Sequence, residues 1–352
     1  MPLTSPLDHE YFIDKHGIIF CVIGYSHPPH KIIAYPKYMP AFHSNELWIR
    51  GTIHYRRITK YYTPKEIRSW GSYLKQVKAF YEEYDYFYNT QLIKVPKEAI
   101  MEYLEPKKGL NNIIHHGPQD HLEHKALNLV FLLAQNSGLP TSSFGISGSI
   151  LLRMHHERSD IDIIVYGLRG GWLVKQAIIE LSKQATIMNL PRPEVEKTLT
   201  ILCKNCGIPY EHAVKVVKRR WRRGVYEGTL FSITPVFSET EVLKYNVYGK
   251  RIYRNVKPVT IDAEVTNNTL SIIYPSIYEV KVQRVYGAGE IEAKDIKYIV
   301  SYNSIFLGLF DVGERVKATG ILQQVIDLED NITYYHVLIG SREEPGFIVT
   351  LE

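Results

Sequence analysis

Two aspartates two positions apart, Asp160 and Asp162, are the residues of this chain best suited to chemistry. The residues around them are β-branched or aromatic, which is typical of a strand. Because side chains alternate across a strand, both carboxylates project from one face, about 7 Å apart. Carboxylates this close repel each other unless a cation lies between them, and hard oxygen ligands suit Mg²⁺, with Mn²⁺ as the alternative ion. Since Mg²⁺ keeps positions for phosphates and water, the pair predicts a site for a metal-bound nucleoside triphosphate.

A Gly148-Ser149 pair stands shortly before the aspartates. Glycine has no Cβ and lets backbone approach a ligand closely, while Ser149 adds a hydroxyl beside backbone N–H groups. The pattern predicts that a short helix starts here, and we expect phosphate oxygens at its start. We expect Arg153 or Arg158, between the two elements, to reach a phosphate.

Gly148-Ser149, a spacer, and Ser159-Asp160-Ile161-Asp162 followed by an apolar strand resemble the signature of the DNA polymerase beta-like nucleotidyltransferase superfamily. The flanking regions resemble a group of uncharacterised archaeal predicted nucleotidyltransferases. The resemblance implies a mixed β-sheet backed by helices, two Mg²⁺ ions, and ATP or another NTP as donor. A substrate hydroxyl would attack the α-phosphate, and pyrophosphate would leave. Ser159 thereby joins the nucleotide-binding candidates Gly148, Ser149 and Arg153.

The resemblance also implies a third carboxylate, on a neighbouring strand later in the chain, that completes the metal cluster and accepts the proton of the attacking hydroxyl. The best candidate segment, 259–265, alternates apolar residues with Asp262 and Glu264. We expect Asp262 to be the third metal ligand, with Glu264 as the alternative. An earlier strand carries Ser232 and Thr234 on that face. Two interpretations follow: a strand pair inserted before the true third strand, or a degenerate site that binds nucleotide without turnover.

A strongly basic segment follows later in the chain. Six cations fall within nine positions: Lys215, Lys218, Arg219, Arg220, Arg222 and Arg223. Apolar residues between them recur at helical spacing, so the pattern predicts an amphipathic helix with one basic face. All of these cations except Arg220 are candidates for nucleic-acid contacts, since such a face attracts phosphates, either of a nucleic acid or of the triphosphate. The alternative is a solvated helix held by surface ion pairs.

The length of 352 residues predicts two or three domains. We expect a mixed α+β fold with an N-terminal α+β domain over 1–95, a nucleotidyltransferase domain of mixed sheet and helices over 96–266, and a β-rich domain over 267–352. A helix over 119–137, stopped by Gly138, should back the catalytic sheet. The short strands of the last region resemble an OB-like barrel, suited to single-stranded nucleic acid. The alternative is a β-domain that only packs against the core.

No apolar run approaches the roughly 18 residues of a membrane span, and three cysteines cannot build a disulfide framework. The sequence therefore predicts a cytoplasmic protein without a membrane partner. The Cys203–Cys206 spacing lacks a second ligand pair, and Gly207 with Pro209 favours a helix end instead.

The function we expect is Mg²⁺-dependent transfer of a nucleoside monophosphate from an NTP to a hydroxyl, on RNA or another nucleic acid. One alternative is a protein or small-molecule hydroxyl as acceptor. The other is a non-catalytic protein that binds nucleotide or nucleic acid with a degenerate site. Nucleobase, acceptor and oligomeric state do not follow from the sequence.

Overall fold

Three β-sheets, each drawn from a separate stretch of the chain, organise the molecule. The computed structural model describes residues 6–41, 48–59, 64–287, 293–342 and 344–351. Within these ranges there are eight α-helices, most of them packed around the middle sheet. The expectation of a mixed fold of sheets and helices is confirmed at this level. No helix in the described part of the chain is both long and apolar enough to cross a membrane.

The first sheet is antiparallel and has eight strands within the described residues. These are β1 (Tyr11–Asp14), β2 (Ile19–Val22), β3 (Lys31–Pro40), β4 (Trp48–Arg50), β5 (Ile53–Arg57), β6 (Glu82–Asp85), β7 (Thr90–Pro96) and β8 (Ile100–Leu104). Helix α1 (Pro64–Gln76) covers this sheet through Trp70 and Leu74. Almost every residue of β1, β2 and β3 is buried, which means that both faces of the sheet centre are covered.

The middle sheet has the strand order β11-β12-β10-β9. Its elements are α2 (Pro106–His116), α3 (His121–Ser137), β9 (Phe144–Ile146), α4 (Gly148–Leu151), β10 (Ile161–Tyr166), α5 (Leu168–Lys183), α6 (Arg192–Cys206), α7 (Tyr210–Lys218), β11 (Arg223–Tyr226), β12 (Thr229–Val236) and α8 (Glu239–Tyr245). Strands β10 and β12 are parallel, and the other pairs are antiparallel. Every residue of β10 except Asp162 is buried, as expected for a central strand.

Local signals set the ends of two helices in this region. The Asp120 side chain accepts the N–H groups of Leu122 and Glu123 at the start of α3, and Gly138 ends that helix in the left-handed conformation. Gly207 ends α6 in the same way, with its N–H bonded to the Leu202 carbonyl. The predicted helix stops at Gly138 and Gly207 are therefore confirmed.

The third sheet closes on itself. Its strands are β13 (Arg251–Asn267), β14 (Ser276–Tyr286), β15 (Ile296–Ser301), β16 (Arg315–Asp327), β17 (Ile332–Ile339) and β18 (Phe347–Thr350). Their order is β13-β14-β15-β17-β16-β18, and β13 also pairs with β16, so five strands form a ring and β18 extends it. Strand β13 lies wholly in this sheet, although the predicted boundary at 266 assigns it to the middle region. Likewise β8 pairs with β1, beyond the predicted boundary at 95.

Candidate metal and nucleotide site

Gly148 packs closely against Asp162. A Cβ added to Gly148 would lie 2.0 Å from Asp162 Oδ2, and Gly148 has φ of +60°, which L side chains rarely adopt. The Ser147 N–H donates to the Asp162 carbonyl at 2.9 Å. The turn before α4 and the strand β10 are thus packed against each other at a spacing that only glycine allows.

The carboxylates of Asp160 and Asp162 repel each other. The pKa of Asp160 is raised, first by the negative charge of Asp162 and then by burial, while the cations Arg223 and Lys37 oppose the rise. Arg223 Nη2 lies 3.9 Å from Asp160 Oδ2 and compensates only part of the charge. Asp160 lies just before β10 and Asp162 is its second residue, and two repelling carboxylates at the start of one strand are the donor set that one Mg²⁺ takes from a protein when phosphates and water fill its other positions. Asp160 and Asp162 are therefore the residues that would hold such an ion.

Two polar groups beside the carboxylates have no hydrogen-bond partner within the described residues. The Ser149 hydroxyl is buried, with the residue 6% exposed, and the Arg223 Nε is buried as well. Buried polar atoms are normally satisfied by protein or water, so such orphans need an explanation. A ligand rich in acceptor oxygens, such as a phosphate group, would satisfy both.

Arg222 provides a fixed positive charge near Asp162. Its guanidinium donates to the carbonyls of Ile233 (2.7 Å) and Ser304 (2.9 Å) and to Thr234 Oγ1 (2.9 Å). Burial lowers its pKa to about 10, although the negative charges of Asp8 and Asp162 counteract part of that effect. Arg222 thus remains charged at neutral pH and links the middle sheet to the third.

The position opposite Asp162 on the neighbouring parallel strand β12 is Ser232. Its hydroxyl donates to Asp162 Oδ1 at 2.5 Å. A third carboxylate on β12 would lie at this position, but the residue there is Ser232.

The structure does not bring the predicted third carboxylate to this site. Asp262 lies on β13, where it accepts a hydrogen bond from Tyr286 Oη at 2.8 Å and lies 3.9 Å from Lys317 Nζ. Glu264 follows on the same strand, paired with β14 and β16. Neither residue lines the cleft of Asp160 and Asp162. The predicted alternation along this segment is present, but its strand pairs within the closed sheet and not beside β10.

Three further candidates also lie outside the cleft. Ser159 is buried, and its hydroxyl accepts the His156 N–H at 3.0 Å, so it stabilises the turn before β10. Arg153 is exposed, and neither it nor Arg158 is among the residues that line the cleft.

The prediction of one helix with a single basic face is wrong. Helix α7 ends at Lys218, and Trp221 is buried with its indole N–H bonded to the Leu307 carbonyl. Arg219 turns to the third sheet and forms a two-point ion pair with Glu314, at 2.7 and 2.6 Å. The cations therefore separate: Lys215 and Lys218 stay on α7, while the arginines lie beyond its end, where the chain no longer follows the helix.

Arg220, Arg222 and Arg223 reach the cleft. Burial lowers the pKa of Arg220 to about 9, and the nearby positive charges of Arg223 and Arg222 contribute to this decrease. Sequence periodicity could not show this division, because it depends on contacts with β12 and the third sheet.

The cleft has a volume of about 1630 Å³ and is lined from all three sheets. Pockets for small molecules usually occupy roughly 300–1000 Å³. The third sheet contributes aromatic and basic side chains, among them Tyr253, Tyr298, Tyr334 and Arg251, and the first sheet contributes Lys37. Two residues ahead of β1, Asp8 and His9, also line the cleft, although no motif marks them in the sequence. The cleft has room for a nucleotide and part of a second substrate.

Comparison with known proteins shows a relative in Methanocaldococcus jannaschii, Uncharacterized protein MJ1086. The two chains are 28% identical over 340 residues, which is 95% of each. No family model matches the chain, and no solved structure matches it. The similarity extends over the stretches that form all three sheets.

Proposed function

We propose that this protein is a divalent-metal-dependent nucleotidyltransferase that moves a nucleoside monophosphate from an NTP to a hydroxyl acceptor. One observation carries the proposal: Asp162 of the Asp160–Asp162 pair is packed on Gly148, and beside the pair the Ser149 hydroxyl and the Arg223 Nε have no hydrogen-bond partner among the described residues. Negative ligands for a cation and unsatisfied donors for phosphate lie together in one cleft, which is what a metal-bound triphosphate requires.

A bound Mg²⁺ would neutralise the developing charge on the phosphates and align the attacking and leaving oxygens. Asp160 and Asp162 would hold the ion, and Ser149 and Arg223 would donate to phosphate oxygens. Arg222, fixed by its own hydrogen bonds, stabilises negative charge without having to reorganise. The predicted cytoplasmic location goes with this proposal, since NTP is supplied there.

We further propose that the acceptor is a nucleic acid. The volume of the cleft and the aromatic and basic side chains that the third sheet contributes to it support this proposal. A closed five-stranded ring with aromatic side chains that line the cleft resembles the OB-like barrels that stack bases of single strands. Tyr298 and Tyr334 pack edge to face, with centroids 5.5 Å apart, and both line the cleft. A protein or small-molecule hydroxyl is the alternative acceptor.

The experiment is a transfer assay with α-labelled NTPs, Mg²⁺, and RNA, DNA, protein and small-molecule acceptors in parallel. Asp160→Asn and Asp162→Asn should each lower the rate at least about 100-fold, since a lost inner-sphere carboxylate removes several kcal/mol of charge stabilisation. Asp262→Asn is the matched control, because it makes the same substitution on a strand outside the cleft. Equal rates in all three variants would contradict the proposal.

A second candidate function has an observation in its favour. Because Ser232 stands where a third acid would complete a two-ion cluster, the cleft also suits a protein that binds metal–nucleotide without turning it over. Calorimetric binding of Mg²⁺–ATP that Asp162→Asn abolishes, with no transfer to any acceptor, would identify this second function.

A further inference from the structure

Asp8 and His9 form a fixed pair at the edge of the cleft. His9 Nδ1 lies 2.7 Å from Asp8 Oδ2, and the second oxygen, Oδ1, accepts the N–H of Gly24 at 2.7 Å. Asp8 is only 5% exposed. Since both of its oxygens are engaged, the carboxylate has one orientation, and it fixes the plane of the imidazole.

The backbone holds His9 against the candidate site. Its N–H donates to the Val22 carbonyl at 3.2 Å, and its own carbonyl accepts the Ser147 hydroxyl at 3.1 Å. Ser147 donates its N–H in turn to the Asp162 carbonyl. His9 also has φ of 63°, a conformation that non-glycine residues adopt rarely and chiefly where the surrounding structure imposes it. Two hydrogen bonds therefore connect His9 to the strand of the aspartates.

The geometry leaves the second imidazole nitrogen available. A proton on Nδ1 donated to a carboxylate places the basic lone pair on Nε2. No hydrogen bond reaches Nε2 from the part of the chain that the structure describes, and the side chain is 31% exposed on the cleft. An oriented imidazole with a free Nε2 is an arrangement suited to general-base catalysis.

The cleft has no base where a third acid would stand. The Ser232 hydroxyl donates its proton to Asp162 and cannot take up another near neutral pH. The acceptor hydroxyl of a transfer reaction must nevertheless lose its proton.

We propose that His9, positioned by Asp8, is the general base for the acceptor hydroxyl, an inference that rests on the proposed function. Nε2 takes the hydroxyl proton while the acceptor oxygen forms a bond to the α-phosphorus. The bond from the α-phosphorus to the oxygen that bridges to the β-phosphate breaks, and pyrophosphate leaves with that electron pair. His9 then releases its proton to water. Asp8 is a positioning residue, since it acts through the imidazole.

Kinetics of the full chain test the role of His9. His9→Gln should lower kcat roughly 10²- to 10⁴-fold, the usual range for a general base, with little change in KM for NTP. His9→Ala should lose as much and recover part of its rate with added imidazole. His54→Gln is the control, because His54 is exposed on β5 and outside the cleft. Wild-type kcat in His9→Gln, with Asp160→Asn inactive, would overturn this proposal and leave the proposed function standing.

Nitrogen NMR of ¹⁵N-histidine-labelled protein tests the positioning by Asp8 without any turnover. The His9 signals, identified by their absence in His9→Gln, should show the Nδ1–H tautomer. In Asp8→Asn, the amide oxygen must accept the Gly24 N–H, so the NH₂ group faces His9 Nδ1 and should force the Nε2–H tautomer. The kcat of that variant should fall as well, because Nε2 then carries a proton and cannot accept one from the substrate hydroxyl.

An unchanged tautomer in Asp8→Asn would overturn the positioning role. A wild-type chain that binds Mg²⁺–ATP but transfers to no acceptor, and not to water, would overturn the proposed function and the general base together. Transfer by wild type, loss in His9→Gln and tautomer reversal in Asp8→Asn would support both.

Discussion

Replacement of Gly148 by alanine perturbs the site at its tightest point. The new Cβ would lie 2.0 Å from Asp162 Oδ2 and 2.9 Å from its Cγ, so the carboxylate has to move. Overpacking of this kind costs about 1–3 kcal/mol. The φ of +60° adds roughly 1–2 kcal/mol for a residue that carries a Cβ. We expect the free energy of unfolding to fall by about 2–5 kcal/mol.

Gly207→Ala is the matched control for this prediction. Gly207 has φ of +66°, and nothing lies within 4 Å of its added Cβ, so it carries the backbone strain without the collision. Its free energy of unfolding should fall by only about 1–2 kcal/mol. The difference between the two variants isolates the contact with Asp162.

Urea denaturation measures both stabilities, and calorimetric titration with Mg²⁺–ATP measures the consequence for the site. Gly148→Ala should weaken this binding at least about 10-fold, since one displaced carboxylate loses more than about 1.4 kcal/mol of metal interaction. Gly207→Ala should bind as wild type does. Equal destabilisation in the two variants, or unchanged binding in Gly148→Ala, would refute the reasoning.

Three further predictions concern charge and the third sheet. Asp160→Asn should raise the melting temperature in EDTA at neutral pH, because the raised pKa of Asp160 means that its ionisation opposes folding. Melts at decreasing pH should show the gain vanish below the ordinary value of 3.8, where the wild-type carboxyl is protonated in both states. Arg219→Gln should lower stability by about 1–2 kcal/mol through loss of the Glu314 pair and leave polynucleotide binding unchanged, as denaturation and filter binding would show. Tyr298→Ala should weaken single-stranded RNA binding by about 1–3 kcal/mol in fluorescence titrations, whereas the exposed Tyr86→Ala should not.

Local sequence determined the parts of this protein that depend on local geometry. The alternation around Asp162 predicts a buried strand with its carboxylate on one face, and β10 has that pattern. Gly138 and Gly207 end their helices because only glycine readily adopts the left-handed conformation there. The glycine before Asp160 and Asp162 is likewise needed by a turn that precedes the strand. Each of these features depends on only a few neighbouring residues, so it can be predicted from one sequence.

The tertiary structure alone decided which side chains share the cleft. Asp162 and Ser232 are opposite each other because β10 and β12 pair in parallel across 70 residues of sequence, and no local period encodes that register. Arg219 finds Glu314 95 residues away, which removes it from the basic face that helical spacing predicted. His9 lies 138 residues before Ser147, yet one hydrogen bond joins them. The periodicity of the sequence specifies which face of a helix or strand a side chain occupies. Which side chain it contacts on that face depends on packing between elements that are distant in sequence.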